Sequence, residues 1–403
     1  MRGFKTIKKQ PTQPQPQSQP QYEVADVLNK LGSKLEDLGL NSWQLRTLFA
    51  LKKCRASALG GHIDACDECG NISISYNSCR NRHCPKCQGR NREDWIQTRE
   101  TELLPVPYFH VVFTLPEVLN KTALHEPKML YDILFESAWE TLQTFGKNKN
   151  LQMGMIAVLH TWGQNLSLHP HLHCIVPGGG VDENGAWKNI KNDGKFLFSV
   201  KALSKVFRAK FCEKLKHQLS LKLNENQSEN HGNEAETYEK IRQSLWEKDW
   251  VVFAKKPFGS PKSVVEYLGR YTHKIAISNH RIRNIDAENV TFDYKDYRQK
   301  GLRKQMTLSH EEFIRRFTLH ILPKRLVKTR HYGFLSSTWK RKKLKTLQQN
   351  LGVIPREKPI KKPFSPKCSC CKTGNLVTIA MFDLRGPPQW FLEMSQRLKL
   401  PKI

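Results

Sequence analysis

Residues 160–180 read HTWGQNLSLHPHLHCIVPGGG and hold four histidines, His160, His169, His171 and His173. His171 and His173 flank a single leucine. On a strand, residues i and i+2 point to the same face. These two imidazoles would stand side by side while Leu172 and Cys174 turn into a core. Paired imidazoles are half of a divalent-metal site. With no cysteine or acid beside them, such a site would stay open and could accept a substrate oxygen. His160, Gln164 and His273 are the candidates for a third ligand, and spacing does not choose among them. The PGGG that follows reads as a tight turn.

Nine of the eleven cysteines fall in clusters, six between Cys54 and Cys87 and three at Cys368, Cys370 and Cys371. Paired C-x-x-C spacing without an export signal reads as metal binding rather than a disulfide framework. Cys66, Cys69, Cys84 and Cys87 form two such pairs, and four thiolates suit a closed, structural, tetrahedral Zn²⁺. Cys54, His62, Cys79 and His83 remain, enough for a second zinc. Arg80, Arg82 and Lys86 surround the cluster and fit contacts to DNA phosphates. Cys368-x-x-Cys371 is one half of a zinc ribbon with no evident second half.

The third constellation is YLGRYTHK. Tyr267 and Tyr271 are four apart and share one face of a helix, with Arg270, His273 and Lys274 beside them. A phenol is a weak nucleophile at neutral pH unless a metal or base and a polarised target accompany it. A helix lying over the histidine strand would bring those together. Residues 251–350 carry 23 Lys/Arg against seven Asp/Glu, a one-signed surround suited to a phosphate-rich ligand.

The elements that must position these groups follow from periodicity. YFHVVFTLP, MGMIAVLHTWG, HPHLHCIVPGGG and WVVFAKKPF read as strands rich in β-branched and aromatic residues. Residues 24–51, 126–146 and 201–220 have helical spacing, and SPKSVVEYLGRYTHK opens with Ser-Pro, a helix start. IAISNHRIRNI and NVTFDYKDY pair as a hairpin. SHEEFIRRFTLHIL is a helix with a Ser-x-x-Glu-like cap. QPTQPQPQSQPQ cannot build a core. The formal net charge of +29 over 403 residues favours a polyanionic partner. No run is long and apolar enough to span a membrane, and no apolar segment follows the basic N-terminus, which argues against secretion and for the cytoplasm.

Five blocks, YNSCRNRHCPKCQG, LLPVPYFHVVFTLP, HPHLHCIVPGGG, YLGRYTHKIAISNHRI and LPKRLVKTRHYGFL, resemble the transposases of the IS91 insertion-sequence family. These are bacterial rolling-circle enzymes with a histidine–hydrophobe–histidine (HUH) nuclease core. The resemblance spans residues 25–375. It departs at CSCCKTGNL, which is denser in cysteine than such tails usually are. It implies an α+β fold: a ferredoxin-like antiparallel sheet flanked by helices, an N-terminal zinc-binding domain and a basic helical C-terminal region. The expected division is a leader over 1–22, a zinc-binding, DNA-contacting domain over 23–104, a nuclease core over 105–285 with a polar insertion near 223–237, and a C-terminal region over 286–403.

The resemblance also implies that His171 and His173 hold Mg²⁺ or Mn²⁺ against a scissile phosphate. Tyr267 and Tyr271 would be the nucleophiles, forming a 5′-phosphotyrosine on single-stranded DNA at the ends of a mobile element and on target DNA. Such an enzyme works at the nucleoid. Three other readings compete: a non-catalytic zinc-finger regulator, a replication initiator or relaxase with the same chemistry, and a zinc hydrolase of small molecules. The last is disfavoured by the charge.

Overall fold

The computed structural model describes residues 20–190, 197–225, 241–255, 261–272, 274–353 and 366–397. The Gln/Pro leader through residue 19, most of the insertion expected at 223–237, and His273 lie outside them, as do the side chains of Arg90, Arg92, Arg270 and Tyr271.

The helical pattern over 24–51 folds as two helices, α1 (Val24–Leu31) and α2 (Ser42–Lys52). Gly32 and Gly39, both at positive φ, interrupt it, and the Asn41 side chain caps α2 by accepting from the Gln44 amide at 2.9 Å. A hairpin of β1 (Gly61–Cys66) and β2 (Ile72–Tyr76) leads to α3 (Gln88–Glu100). Then come β3 (Tyr108–Thr114), α4 (Pro127–Lys147), β4 (Gly154–Trp162), β5 (Leu168–Pro177), α5 (Val200–Glu225) and β6 (Val252–Lys255). Helix α6 (Pro261–Thr272) precedes a three-stranded meander of β7 (Ile282–Ile285), β8 (Asn289–Asp296) and β9 (Leu302–Ser309). Helix α7 (His310–Thr318) is capped by the Ser309 hydroxyl, which accepts from the Glu312 amide at 3.2 Å. Strands β10 (Thr329–Gly333) and β11 (Leu376–Phe382) follow. The region after residue 286 therefore contributes strands as well as helices.

The central sheet has the order β10-β4-β5-β3-β6, and all neighbours run antiparallel. Without the edge strand β10 this is the ferredoxin-like order, with α4 and α5 as the two crossovers. The fold is α+β, as the sequence implied. Alternation sorts the two faces. Val111, Phe113, Ala157, Leu159, Leu172 and Cys174 point to one side and are buried in the largest core together with Leu134, Phe135, Phe207 and Phe211 of α4 and α5. Burying each of these large apolar side chains contributes about 1.5–3 kcal/mol. The opposite face carries His110, Val158, His160, His171 and His173. Helix α6 covers it, with Val264 packed against Val158 and Ile175, together with Phe334 and Leu335 after β10, and His110, His160 and His173 are buried there.

A second core binds the N-terminal helices, the three-stranded meander and α7 to this sheet. Leu28 and Leu48 of the N-terminal helices meet Phe292 of β8, Phe313 and Phe317 of α7, and Trp162 and Leu166 at the end of the histidine hairpin. The short loop between β4 and β5 is braced from several sides. Arg281 Nη2 donates to the Gln164 carbonyl, Arg316 Nη1 to that of Asn165 at 3.3 Å, and His320 Nε2 to that of Leu166 at 3.1 Å.

His320 also accepts from Thr161 Oγ1 at 3.2 Å, so both ring nitrogens are used by the neutral tautomer. Burial pushes this imidazole from its ordinary 6.5 down to about 4. Between those pH values the unfolded chain binds a proton that the folded chain refuses. Stability is therefore complete above pH ~6.5 and is lost as pH falls through about 4, by roughly 3 kcal/mol for this residue. The urea midpoint should fall over that window. The fall should shrink by about one proton's worth in His320→Gln; an unchanged slope would show that another group sets it.

Candidate active site and metal centres

Register places the histidines together. His160 on β4 pairs with His171 on β5, and His173 lies two residues along, opposite Val158 on one side and Val112 on the other. The ligand atoms of His160, His171 and His173 lie within 4.8 Å of one another. Of the candidates for a third partner, His160 is the one found in the group. Gln164 sits in the braced loop with its carbonyl engaged by Arg281, and His273 lies outside the described residues.

Hydrogen bonds set the ring orientations. His171 Nδ1 donates to the His169 carbonyl at 2.6 Å, which leaves Nε2 with the lone pair in the neutral ring. A 2.8 Å hydrogen bond joins His173 Nδ1 to His110 Nε2. The two remaining nitrogens, His171 Nε2 and His173 Nε2, face each other at 3.2 Å. Burial, then the neighbouring His169, Lys274 and His110, lower the His171 imidazole to about 4, and burial with His171, His110 and Lys274 lowers His173 further. Both rings are neutral at physiological pH, the form that binds a cation.

The residue that sequence reading missed is His110. It lay unremarked inside YFHVVFTLP because a lone histidine on an apolar strand is usually structural. The usable signal was its parity: Val112, which shares its face, sits opposite His173. The His110 and His173 rings lie nearly coplanar, joined edge to edge by that hydrogen bond, with centroids 5.1 Å apart and planes within 8°, and His110 meets the Tyr267 ring edge-on, also at 5.1 Å. Tyr267 thus reaches the histidine face through one intervening ring. Tyr271 is one helical turn further along α6, and its side chain lies outside the described residues. Beyond the helix, Lys328 Nζ donates to the Lys274 carbonyl at 2.8 Å and lies 5.2 Å from the centre of the Trp162 ring, and Trp162 stacks on His160 at 4.5 Å.

The cysteines are regrouped relative to the sequence reading. Cys54, Cys79, Cys84 and Cys87 form one group, and Cys66, Cys69, Cys368 and Cys371 another. The reason is the hairpin. Cys66 and Cys69 sit at its tip and the first group at its base. At a rise of about 3.4 Å per residue, β1 separates them by roughly 17 Å, so they cannot share an ion with Cys84 and Cys87. His62 and His83 belong to neither group. His62 Nε2 faces the Asp64 carboxylate at 3.4 Å. His83 accepts from Arg82 Nε at 3.3 Å and is pushed down to about 3, chiefly by burial. In the base group, Sγ atoms are 3.5 Å (Cys54–Cys84), 3.6 Å (Cys54–Cys87) and 3.7 Å (Cys79–Cys87) apart. A disulfide would need about 2.05 Å, whereas four thiolates at about 2.3 Å from zinc stand about 3.8 Å apart. The donor set fits zinc.

The basic residues near this group divide. Arg82 gives its guanidinium to the carbonyls of Leu322, Pro323 and Leu326, and Lys86 binds the Cys54 carbonyl and the Glu23 carboxylate. Both are occupied in joining elements rather than facing a ligand. Arg80 is exposed, as is Lys274, whose charge acts on His171 and His173. The PGGG run is also internal. A Cβ on Gly179 would lie 2.3 Å from the Lys188 carbonyl oxygen, so this backbone is closed to a phosphate.

The chain pairs a thiol-rich N-terminal domain with an antiparallel sheet that carries a histidine cluster, and both parts match domains of DNA transposases. Residues 27–115 match the family model "Transposase zinc-binding domain", and residues 154–343 match the family model "Putative transposase". "Putative transposase y4qJ" of Sinorhizobium fredii is 41% identical over 388 residues, covering 91% of this chain and 97% of that protein. The "Transposase for insertion sequence element IS801" of Pseudomonas savastanoi pv. phaseolicola is 29% identical over 306 residues, covering 75% and 73%. The chain belongs to the IS91 family of transposases. Its substrate is therefore DNA, and it binds zinc through its N-terminal domain. Family membership favours the transposase over the regulator, initiator and hydrolase readings. Among the described residues no helix is long and apolar enough to cross a membrane.

Proposed function

We propose that this transposase nicks and rejoins single-stranded DNA by a rolling-circle mechanism, through a 5′-phosphotyrosine on Tyr267 or Tyr271. The observation that carries the reading is the contact chain Tyr267–His110–His173, which brings a phenol to the histidine-bearing face of the sheet. The hydroxyl attacks phosphorus, the P–O3′ bond breaks, and a free 3′-hydroxyl leaves. The bond energy stays in the tyrosyl ester, so a later attack by a 3′-hydroxyl joins strands without ATP. The second tyrosine permits a second cleavage before the first ester is resolved.

His160, His171 and His173 would hold a divalent cation. Two imidazole lone pairs facing each other repel unless a proton or a cation lies between them, and the low proton affinity of these rings favours the cation. A bound Mg²⁺ or Mn²⁺ would polarise the phosphoryl oxygen and orient the phosphate for in-line attack. Imidazoles suit Mn²⁺ better than Mg²⁺, which prefers oxygen ligands. Lys274, exposed beside the cluster, would meet the DNA backbone. Cys54, Cys79, Cys84 and Cys87 would hold the structural zinc of the N-terminal domain, and that rigid unit would present Arg80 to DNA.

His110 is a positioning residue in this scheme. By accepting from His173 Nδ1 it would keep the lone pair on Nε2. His110→Ala should weaken Mn²⁺ binding by about 10–100-fold, as loss of an outer partner of a ligating histidine does. Calorimetric titration of Mn²⁺ reads this without turnover, and unchanged affinity would refute the role. The function itself is tested with single-stranded oligonucleotides from the flanks of the gene. With Mn²⁺, a covalent band should shift on a denaturing gel, and with EDTA it should vanish. A band indifferent to metal would refute the assignment.

A further inference from the structure

The second thiol group is drawn from both ends of the chain. Cys66 and Cys69 belong to the tip of the β1–β2 hairpin, and Cys368 and Cys371 immediately precede β11, which pairs antiparallel with β1 from Gly61↔Phe382 to Cys66↔Leu376. The Sγ atoms of Cys66 and Cys371 are 3.6 Å apart and those of Cys69 and Cys368 3.7 Å. These distances are too long for disulfides and match the edge of about 3.8 Å of a tetrahedral zinc thiolate.

The two C-x-x-C turns are built alike. Gly70 N donates to the Cys66 carbonyl at 3.1 Å, and Lys372 N to that of Cys368 at 3.0 Å. Both donors have left-handed backbones, φ 68° and 63°. Amides also point at sulfur: Cys69 N at Cys66 Sγ, 3.5 Å, Cys370 N at Cys368 Sγ, 3.4 Å, and Gly374 N at Cys371 Sγ, 3.3 Å. Such donors favour a thiolate over a thiol. The halves are tied together. The Asp67 carboxylate accepts from the Asn375 amide at 2.7 Å and from its side chain at 3.2 Å, and Thr373 Oγ1 donates to Glu68 at 2.5 Å. Gly374 lies so close that a Cβ there would stand 2.4 Å from Cys66 Sγ.

We propose that Cys66, Cys69, Cys368 and Cys371 bind a second Zn²⁺ and that this ion clasps the C-terminal strand to the N-terminal domain. The zinc-binding family model ends at residue 115 and contains only half of these ligands. Two ligand pairs about 300 residues apart make the tail's fold dependent on the metal. Cys370, exposed and outside the group, takes no part.

The test is zinc stoichiometry of the full chain by native mass spectrometry. The unaltered protein and Cys370→Ser should hold two ions. Cys371→Ser should hold one, Cys66→Ser one, and the Cys66→Ser/Cys371→Ser pair still one, because residues from opposite ends share a single ion. Limited trypsin digestion should release the tail at least tenfold faster in Cys371→Ser. Cys79→Ser, which interrogates the other thiol group, should remove a different ion, so that Cys79→Ser/Cys371→Ser holds none. This keeps failure of the clasp distinct from failure of the first zinc assignment. Undiminished zinc in Cys371→Ser would overturn the proposal.

Discussion

Replacing both Tyr267 and Tyr271 by phenylalanine should abolish the covalent protein–DNA product, by at least about 10³-fold or roughly 4 kcal/mol in the barrier, while DNA binding stays within about twofold. The asymmetry follows from what the change removes. Phenylalanine keeps the ring and loses only the hydroxyl. Tyr267 meets His110 through its ring, so the packing of α6 on the sheet survives. In the proposed scheme phosphate contacts would reside in basic side chains elsewhere, including Lys274, and only the attacking atom would be lost. A mobility-shift assay run beside the denaturing gel separates the two quantities. An adduct that persisted in the double variant would mean that another residue is the nucleophile.

His171→Ala should be comparably severe. It removes a proposed ligand whose orientation is set by the His169 carbonyl and whose nitrogen faces that of His173. Two imidazoles would remain to hold the cation. Loss of its charge stabilisation should cost several kcal/mol, about 10²–10⁴-fold in cleavage rate. Excess Mn²⁺ should restore part of the activity if the remaining ligands still bind weakly, while the tyrosines stay intact. Normal cleavage at low Mn²⁺ would remove the metal role from this cluster. The His110→Ala effect should be the smaller of the two, because that residue orients a ligand and is not in the ligand group itself.

Much of this was legible before any coordinates. The alternation that puts His171 and His173 on one face, the four-residue spacing of the tyrosines and the strands at 108–114 and 154–162 are local patterns, and local patterns follow from backbone geometry. What was not legible is long-range pairing. Nothing in C-x-x-C spacing tells Cys66 that its neighbours are Cys368 and Cys371 rather than Cys84 and Cys87. The length of the β1–β2 hairpin decides it, and Cys371 arrives from 305 residues away. His160 was one of three candidates until the β4–β5 register placed it opposite His171. Arg82 looked like a DNA contact because charge alone does not show that a guanidinium will be consumed by three carbonyls of the segment that follows α7. His110 stayed hidden for the same reason: its partner lies 63 residues on, across a strand pair.

The most direct measurement is to map the residue that carries DNA. Trypsin separates the two tyrosines, Tyr267 in SVVEYLGR and Tyr271 in YTHK, because Arg270 lies between them. After reaction with a single-stranded oligonucleotide and Mn²⁺, nuclease trimming and mass spectrometry should find a 5′-phosphonucleotide on one or both of these peptides. A nucleotide attached to any other residue, or a cleaved strand with no attachment at all, would contradict the phosphotyrosine chemistry.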